Sequence, residues 1–289
     1  MLKNTIKIAS MCLKITFVLI LAFIFLASCI KLRTSDAKIY KKMAQQGVKV
    51  ETYTLDGKSM RYVHTGNDTL PLVVFVHGAP GSSDAFFDYL KNDKLLQKCQ
   101  MISIDRLGYG YSEFGKVEVS IEKQAYFIVP ILKKYQNRKI ILVGHSYGGP
   151  VVACLAMNYP EYVKGIILAA PAIDPENEKI FWFNKPASWK MVRWCLPRVL
   201  NVANDEKMAH SAQLKLLLPK WENIRADVTY IHGGKDNVVP FVNHIFAQKM
   251  LKNANVTYIL KDKMNHFFPF RKIEILEDAI LNQLKTLVK

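Results

Sequence analysis

Short apolar runs alternate with helical segments along most of this chain of 289 residues, and that alternation limits the fold more than any other feature. The run Leu72-Val73-Val74-Phe75-Val76 contains no polar residue, which is typical of a strand covered on both faces. Comparable runs occupy residues 101–104, 140–143, 165–169, 228–231 and 256–260. Helices are predicted at residues 83–96, 121–135, 147–158, 242–251 and 273–287. The pattern predicts the α/β class, with a mostly parallel central sheet flanked by helices.

Two parts of the chain depart from this alternation. Residues 48–55 and 58–65 flank Asp56-Gly57, a pair that favours a tight antiparallel hairpin ahead of the parallel strands. The stretch between the strands near residues 170 and 227 is too long for a simple crossover, and it contains all four tryptophans. We therefore predict a core in two parts, residues 47–172 and 227–289, separated by a helical cap at residues 173–226.

The N-terminal segment has the composition of a targeting sequence. Its charged residues are Lys3, Lys7 and Lys14, and residues 15–28 are all apolar or small. The tetrapeptide Leu26-Ala27-Ser28-Cys29 resembles the lipobox of bacterial lipoproteins, in which the cysteine thiol is acylated and cleavage makes that cysteine the new N-terminus.

This resemblance implies a signal peptide at residues 1–28, a lipid such as palmitate on Cys29, and a tether at residues 29–46. The protein would then be anchored in the bacterial cell envelope and face away from the cytoplasm, with the outer membrane as one destination. The alternative is an uncleaved membrane anchor, for which the uncharged stretch of residues 15–30 is short.

The formal net charge of +16 raises the question of nucleic acid, but the basic residues are scattered rather than gathered on one element. Loss of residues 1–28 would remove three lysines and no acid, lowering the charge to +13. A lysine-rich surface beside anionic lipid is the simpler interpretation, so no nucleic-acid partner is predicted. Cys99, Cys154 and Cys195 have the spacing of neither a disulfide framework nor a metal site, and Cys154 is expected in the core.

The segment Gly144-His145-Ser146-Tyr147-Gly148 stands between a predicted strand and a predicted helix. A nucleophilic serine needs its hydroxyl clear of the sheet while the backbone turns sharply from strand into helix. Small residues two positions before and after the serine let that turn close. Ser146 is therefore the candidate nucleophile.

A serine hydroxyl is a weak nucleophile unless a base takes its proton and an acid orients that base. Asp236 and His266 each follow a predicted strand, so both are expected at the sheet edge where Ser146 lies. Asp174, after the preceding strand, is a rival for the acid. Three other histidines are expected on a hairpin or on helices away from that edge: His64, His210 and His244.

The chain resembles the α/β-hydrolase family over nearly all of the sequence after the targeting segment. His77-Gly78-Ala79-Pro80-Gly81 resembles the family's oxyanion loop, and residues 105–112 resemble its D-x-x-G-x-G-x-S loop. The resemblance implies that the amides of Ala79 and Tyr147 bind the developing oxyanion, while the second loop supports the site without reacting. The sequence contains neither an H-E-x-x-H pair nor a phosphate-binding loop, so no metal and no other cofactor is predicted.

Together these features predict a serine hydrolase that cleaves a carboxylic ester with a small or lipid-like acyl group through an acyl-enzyme. A serine nucleophile argues against the haloalkane dehalogenase and epoxide hydrolase branches of the family. The His-Gly-Ala-Pro-Gly loop differs by one residue from the His-Gly-Gly-Pro-Gly of proline iminopeptidases, so an aminopeptidase acting on an amide is an alternative. Those enzymes usually carry tryptophan where this chain has Tyr147. C–C bond hydrolases, and a membrane-tethered binding protein without turnover, are further alternatives.

The predicted cap mixes aromatic and basic side chains. Phe181-Trp182-Phe183 and residues 189–196 lie close to Lys185, Lys190 and Arg193. Packing of the cap, with the basic side chains reaching solvent, accounts for this pattern. The sharper hypothesis is that this face contacts a lipid surface or an apolar acyl chain.

Overall fold

The computed structural model describes residues 32–288, so Cys29 and the predicted signal peptide lie outside the described residues. The strands are Lys49–Leu55 (β1), Lys58–Thr65 (β2), Leu72–Val76 (β3), Gln100–Ile104 (β4), Ile140–His145 (β5), Val163–Ala169 (β6), Asp227–Gly233 (β7) and Val256–Lys261 (β8). They form one sheet in the order β1-β2-β4-β3-β5-β6-β7-β8. β2 pairs antiparallel with β1 and β4, and every other pairing is parallel. The predicted α/β class is confirmed.

The hairpin forms where Asp56-Gly57 predicts it. Leu55 pairs with Lys58, so Asp56 and Gly57 alone make the turn. Both have positive φ, 48° for Asp56 and 72° for Gly57, which matches the right-handed twist of the flanking strands.

Helices surround the sheet, and several are shorter than predicted. They are Asp36–Lys42 (α1), Phe87–Leu90 (α2), Asp93–Leu96 (α3), Ile121–Tyr126 (α4), Val129–Lys134 (α5), Gly148–Asn158 (α6), Asn184–Ala187 (α7), Lys190–Cys195 (α8), Arg198–Leu217 (α9), Asn243–Met250 (α10), Phe268–Arg271 (α11) and Ile273–Val288 (α12). The predicted helix at 121–135 is broken because Pro130 cannot donate to the carbonyl of Tyr126, and its ring would clash there. The predicted helix at 83–96 is broken where Asn92 caps α3 by accepting a hydrogen bond from the Leu95 amide.

The sheet separates two hydrophobic layers. Leu72, Val74 and Val76 of β3 face the layer that contains α6. Val73 and Phe75 face the other layer, where α12 packs. A strand without polar residues therefore reflects burial on both faces, because successive side chains point to opposite sides.

The connection from β6 to β7 contains the residues predicted as a cap, 173–226, which we call the cap segment. It carries α7, α8, α9 and a 3-10 helix at Leu218–Asn223. The segment is joined to the rest of the protein by a buried ion pair. Arg106 Nη1 donates to Glu206 Oε1 on α9 at 2.7 Å, and both side chains are fully buried. Tyr109 and Gln124 also donate to the Glu206 carboxylate, at 2.6 and 3.1 Å.

Replacement of Glu206 by glutamine is expected to lower the free energy of unfolding by about 3–5 kcal/mol, because the buried Arg106 guanidinium would lose its counter-charge. A urea titration followed by circular dichroism measures this loss.

The matched control is Asp205→Asn, one residue earlier on α9. Asp205 accepts from Arg193 at 2.5 Å, but the two side chains keep 24% and 33% of their exposure. Solvent screens such a pair, so the expected loss is under about 1 kcal/mol. Equal losses in the two variants would contradict the role given to the Arg106–Glu206 pair.

Candidate active site

Ser146 occupies the sharp turn between β5 and α6. Its φ is 54°, a left-handed conformation that is strained for any residue with a Cβ atom. The turn leaves no room for side chains at its flanking glycines. A Cβ atom on Gly144 would lie 2.4 Å from the Gly148 carbonyl oxygen, and one on Gly148 would lie 2.1 Å from that of Val76. The glycine spacing in the sequence is thus a steric requirement of this turn.

Asp236 and His266 lie in direct contact. His266 Nδ1 donates to Asp236 Oδ2 at 2.7 Å. The other carboxylate oxygen accepts from the amides of Val238 and Val239, at 2.9 and 2.8 Å. Burial acts to raise the pKa of Asp236, but hydrogen bonds from His232 and His266 outweigh it and hold that pKa far below its usual range. Asp236 is therefore ionised at neutral pH.

The serine turn is fixed against the loop that carries His266. His145 Nε2 donates to the His266 carbonyl oxygen at 3.1 Å, and the two imidazole rings lie 4.8 Å apart. Within residues 32–288 no hydrogen bond joins the Ser146 hydroxyl to His266. Such hydrogen bonds are often loose without substrate and tighten when it binds.

The loop predicted to hold the oxyanion donors lies against Ser146. A Cβ atom on Gly78 would lie 2.9 Å from Ser146 Cβ, so only glycine allows this approach. Ala79 and Tyr147 line the same cavity as Ser146. Within residues 32–288 neither amide donates to a protein acceptor, so both are available to a ligand.

Arg106 holds that loop in place. Its amide donates to His77 Nε2 at 3.0 Å, and its Nε donates to the His77 carbonyl oxygen at 2.9 Å. Because Nε2 accepts, Nδ1 carries the proton of His77 and donates to the Gly78 carbonyl oxygen at 2.7 Å. The residue that binds Glu206 of the cap segment therefore also positions the candidate oxyanion loop.

Asp105 begins the loop of residues 105–112, which resembles the family's D-x-x-G-x-G-x-S loop, and its contacts support neighbouring segments. Its carboxylate accepts from the amides of Ser83 and Tyr111, at 2.7 and 3.0 Å, and from Arg61 Nη1 at 2.9 Å. It is completely buried, and its contacts are those of a residue that fixes neighbouring loops.

The rival acid Asp174 points elsewhere. Its carboxylate accepts from the Glu176 amide at 3.0 Å and from Asn177 Nδ2 at 2.8 Å, and it contacts no histidine among the described residues. The structure therefore brings His266 together with Asp236 and not with Asp174.

His232 is a residue of this site that the sequence pattern did not single out. Its Nε2 lies 3.2 Å from Asp236 Oδ2, and its Nδ1 lies 2.8 Å from the Tyr230 hydroxyl. The spacing of four residues between His232 and Asp236 was visible in the sequence. Only the turn after β7 shows that the chain folds back to join them.

A cavity of about 480 Å³ lies between the serine turn and the cap segment. Its walls are mainly apolar side chains of the cap segment, including Phe181, Phe183, Val192, Leu196 and Leu200. Ser146, Ala79 and Tyr147 line it from the sheet side. The arrangement suits an apolar group next to a reacting carbonyl.

His210 lies in this cavity, so the expectation that it is remote from the site is wrong. Its ring stacks on Tyr147 with centroids 4.8 Å apart, and its Nδ1 lies 3.1 Å from Glu178 Oε1. Lys207 also donates to Glu178. Burial acts to raise the pKa of Glu178, but the His210 hydrogen bond and the Lys207 charge outweigh it and lower that pKa. His210 reaches the cavity because α9 crosses over the serine turn, which no local pattern indicates.

Two kinds of feature are absent from residues 32–288. No group of three or more His, Cys, Asp or Glu side chains there is arranged to hold a metal ion. No helix in that part of the chain is long and apolar enough to cross a membrane.

The model of the alpha/beta hydrolase fold family matches residues 71–216, just over half of the chain. The chain belongs to the α/β-hydrolase fold family. The match includes the candidate oxyanion loop, the serine turn and most of the cap segment.

Relatives of this α/β hydrolase have several activities. A 1-acylglycerol-3-phosphate O-acyltransferase of Arabidopsis thaliana is 33% identical over 159 residues, which are 50% of this chain and 37% of that protein. Epoxide hydrolase 1 of Caenorhabditis elegans is 29% identical over 202 residues, which are 66% of this chain and 50% of that protein. The chain thus spans half or less of the length of these relatives.

Solved structures with low sequence identity share the fold. A bacterial membrane phospholipase A has a TM-score of 0.63 at 16% identity, covering 99% of both chains. A thioesterase domain from the curacin biosynthetic pathway has a TM-score of 0.63 at 14% identity, covering 82% of this chain and 99% of that one.

Proposed function

We propose that this α/β hydrolase is a serine esterase that cleaves carboxylic esters with small or lipid-like acyl groups through an acyl-enzyme. The observation that carries the proposal is the contact of ionised Asp236 with His266 Nδ1 at 2.7 Å, beside the strained turn at Ser146. This contact leaves Nε2 of His266 without its proton and able to act as a base.

The reaction follows from these positions. Ser146 Oγ attacks the ester carbonyl carbon while His266 Nε2 takes the hydroxyl proton, and the amides of Ala79 and Tyr147 bind the oxyanion. His266 then protonates the departing alkoxide, which leaves an acyl-Ser146. A water molecule attacks this acyl group while His266 takes a proton from it. The carboxylic acid departs, and the proton returns to Ser146.

The polar groups of the cavity favour an ester over an aminopeptidase substrate. A free α-amino group would need an unpaired carboxylate, and Glu178 is the acidic residue among the described residues that line the cavity. The Glu178 carboxylate is already paired with Lys207 and His210. A second ammonium would have to displace one of them in a buried site.

Other observations support a lipid-like acyl group. The cavity walls are mainly aromatic and aliphatic. Among the relatives and neighbours are an acylglycerol-phosphate acyltransferase, a phospholipase A and a thioesterase domain. The lipobox-like sequence at Cys29 supports a lipid anchor in the bacterial cell envelope, where lipid esters are within reach.

A substrate panel tests this function. The full chain is assayed with p-nitrophenyl esters from acetate to octanoate and with an aminoacyl p-nitroanilide. We expect kcat/KM to rise about threefold to fourfold per added methylene until the cavity is filled, since each buried methylene contributes about 0.8 kcal/mol. The anilide is expected to react at least ~100-fold more slowly than butyrate.

Cavity-filling variants provide the control. Ala203→Phe fills the cavity from α9 and is expected to remove the gain with chain length. Ala212→Phe makes the same change on an exposed part of α9 and is expected to leave the profile unchanged. Faster cleavage of the anilide would favour the aminopeptidase. No turnover and no labelling by a fluorophosphonate would favour a binding protein.

A further inference from the structure

The cap segment exposes an unusual amount of aromatic and apolar side chain. Trp182, Trp189, Met191 and Trp194 keep 86%, 64%, 85% and 73% of their exposure, and we call these four residues the cap surface. The fourth tryptophan, Trp221, is 1% exposed and packs in the core. Isolated exposed apolar residues are ordinary, but three exposed tryptophans within residues 182–194 mark an interaction surface.

The charge of this part of the cap segment is mainly positive. Residues 179–200 contain five basic residues and no acidic one. One of the five, Arg193, pairs with Asp205 of α9. Lys185 and Lys190 are exposed and belong to no ion pair among the described residues. Tryptophan next to lysine is the composition found where proteins meet the headgroups of a lipid bilayer, and the positive charge selects anionic lipid.

The start of the described chain lies beside the beginning of α9 in the cap segment. The Arg33 guanidinium stacks over Tyr111 and Phe114, 4.2 and 4.6 Å from the ring centroids. Phe114 packs against Val199 and Val202 at the beginning of α9. Because α9 directly follows α8, which carries Met191 and Trp194, residues 32–34 lie beside the cap segment.

This position limits where a membrane can be. Four residue steps separate Cys29 from Arg33, and an extended chain covers at most about 14 Å over that distance. Whether the apolar run of residues 15–30 stays as an anchor or is cleaved and replaced by a lipid, attachment would hold the bilayer near Arg33 and the start of α9.

Helix α8 then separates lipid from the cavity. Val192 and Leu196 line the cavity, whereas Met191 and Trp194 are exposed on the outside of the same short stretch. A bilayer on the outer face would place a lipid-like ester within reach of the cavity wall.

We propose that the cap surface docks on an anionic lipid bilayer, the same one to which the N-terminal segment attaches. The geometry of docking rests on the proposed N-terminal attachment and not on the proposed esterase activity.

Quenching of tryptophan fluorescence tests this docking. The full chain carrying Ser146→Ala is reconstituted with vesicles of brominated phosphatidylglycerol and phosphatidylcholine, so that the result does not depend on turnover. We expect at least half of the tryptophan emission to be quenched, because three of the four tryptophans would lie at the headgroups. Trp221 would remain unquenched.

Charge-reversal variants distinguish docking of the cap surface from attachment through the N-terminal segment alone. Lys185→Glu with Lys190→Glu retains every tryptophan and is expected to reduce quenching several-fold, although the N-terminal segment still binds the vesicle. Lys249→Glu with Lys252→Glu changes the net charge equally at exposed positions outside the cap segment and is expected to leave quenching unchanged. Equal quenching in both variants, attachment without quenching, or no vesicle binding by the full chain would each overturn the proposal.

Discussion

The Ser146→Ala variant is expected to lose ester hydrolysis by on the order of 10⁵- to 10⁶-fold in kcat while it still binds substrate. Ser146 is the one serine, threonine or cysteine among the described residues that line the cavity, so no other aliphatic hydroxyl or thiol there can replace it. The candidate oxyanion donors are backbone amides and survive the substitution. A residual acceleration over the reaction in water is therefore expected.

Single-turnover kinetics with p-nitrophenyl butyrate measure this loss, and fluorophosphonate labelling provides a second readout. Ser188→Ala, in the cap segment but not among the cavity residues, is the control and should label like the wild type. Alanine at a φ of 54° keeps the backbone strain of the turn, so Ser146→Ala should unfold at a temperature close to that of the wild type. A labelled, active Ser146→Ala protein would exclude this serine as the nucleophile.

The Asp236→Asn variant is expected to lose about 10⁴-fold in kcat with little change in KM. An asparagine side chain can hold the His266 imidazole in the wrong tautomer, and it cannot stabilise the imidazolium that forms during attack. The carboxylate also accepts from two backbone amides, so some local loosening of the turn after β7 is expected as well.

The matched control for this prediction is Asp174→Asn. Asp174 is equally buried but accepts hydrogen bonds from Glu176 and Asn177 instead of a histidine. Its replacement should change kcat by less than about threefold. If Asp174→Asn lost activity and Asp236→Asn kept it, the assignment of the acid would be reversed.

Elements with a strong local signal were predicted closely. The run at Leu72–Val76 forms β3 with the same bounds, because five apolar residues in succession are typical of a strand buried on both faces. The hairpin at Asp56-Gly57 formed for an equally local reason, the positive φ that this pair tolerates. Pro130 also indicates the break in the helix, because proline removes a helical hydrogen bond. The apolar periodicity of residues 121–135 nevertheless predicts one continuous helix.

Contacts between residues that are far apart in the sequence had no such local signal. Glu206 lies 100 residues from Arg106, and its place in a long polar helix suggests a solvent-exposed side chain rather than a buried one. His210 was expected away from the site because its own helix gives no hint that it crosses the serine turn. His232 joins Asp236 only because the chain folds back after β7.

The sequence by itself determined the α/β class, the turn at Ser146 and the placing of Asp236 and His266 on loops after successive strands. These follow from apolar periodicity, glycine sterics and chain order, which are local properties. Tertiary structure alone decided that His266 meets Asp236 rather than Asp174, and that Arg106 links the candidate oxyanion loop to the cap segment. It also placed the start of the described chain beside the beginning of α9 in the cap segment. Each of these depends on which surfaces pack together, and packing is settled by the whole chain at once.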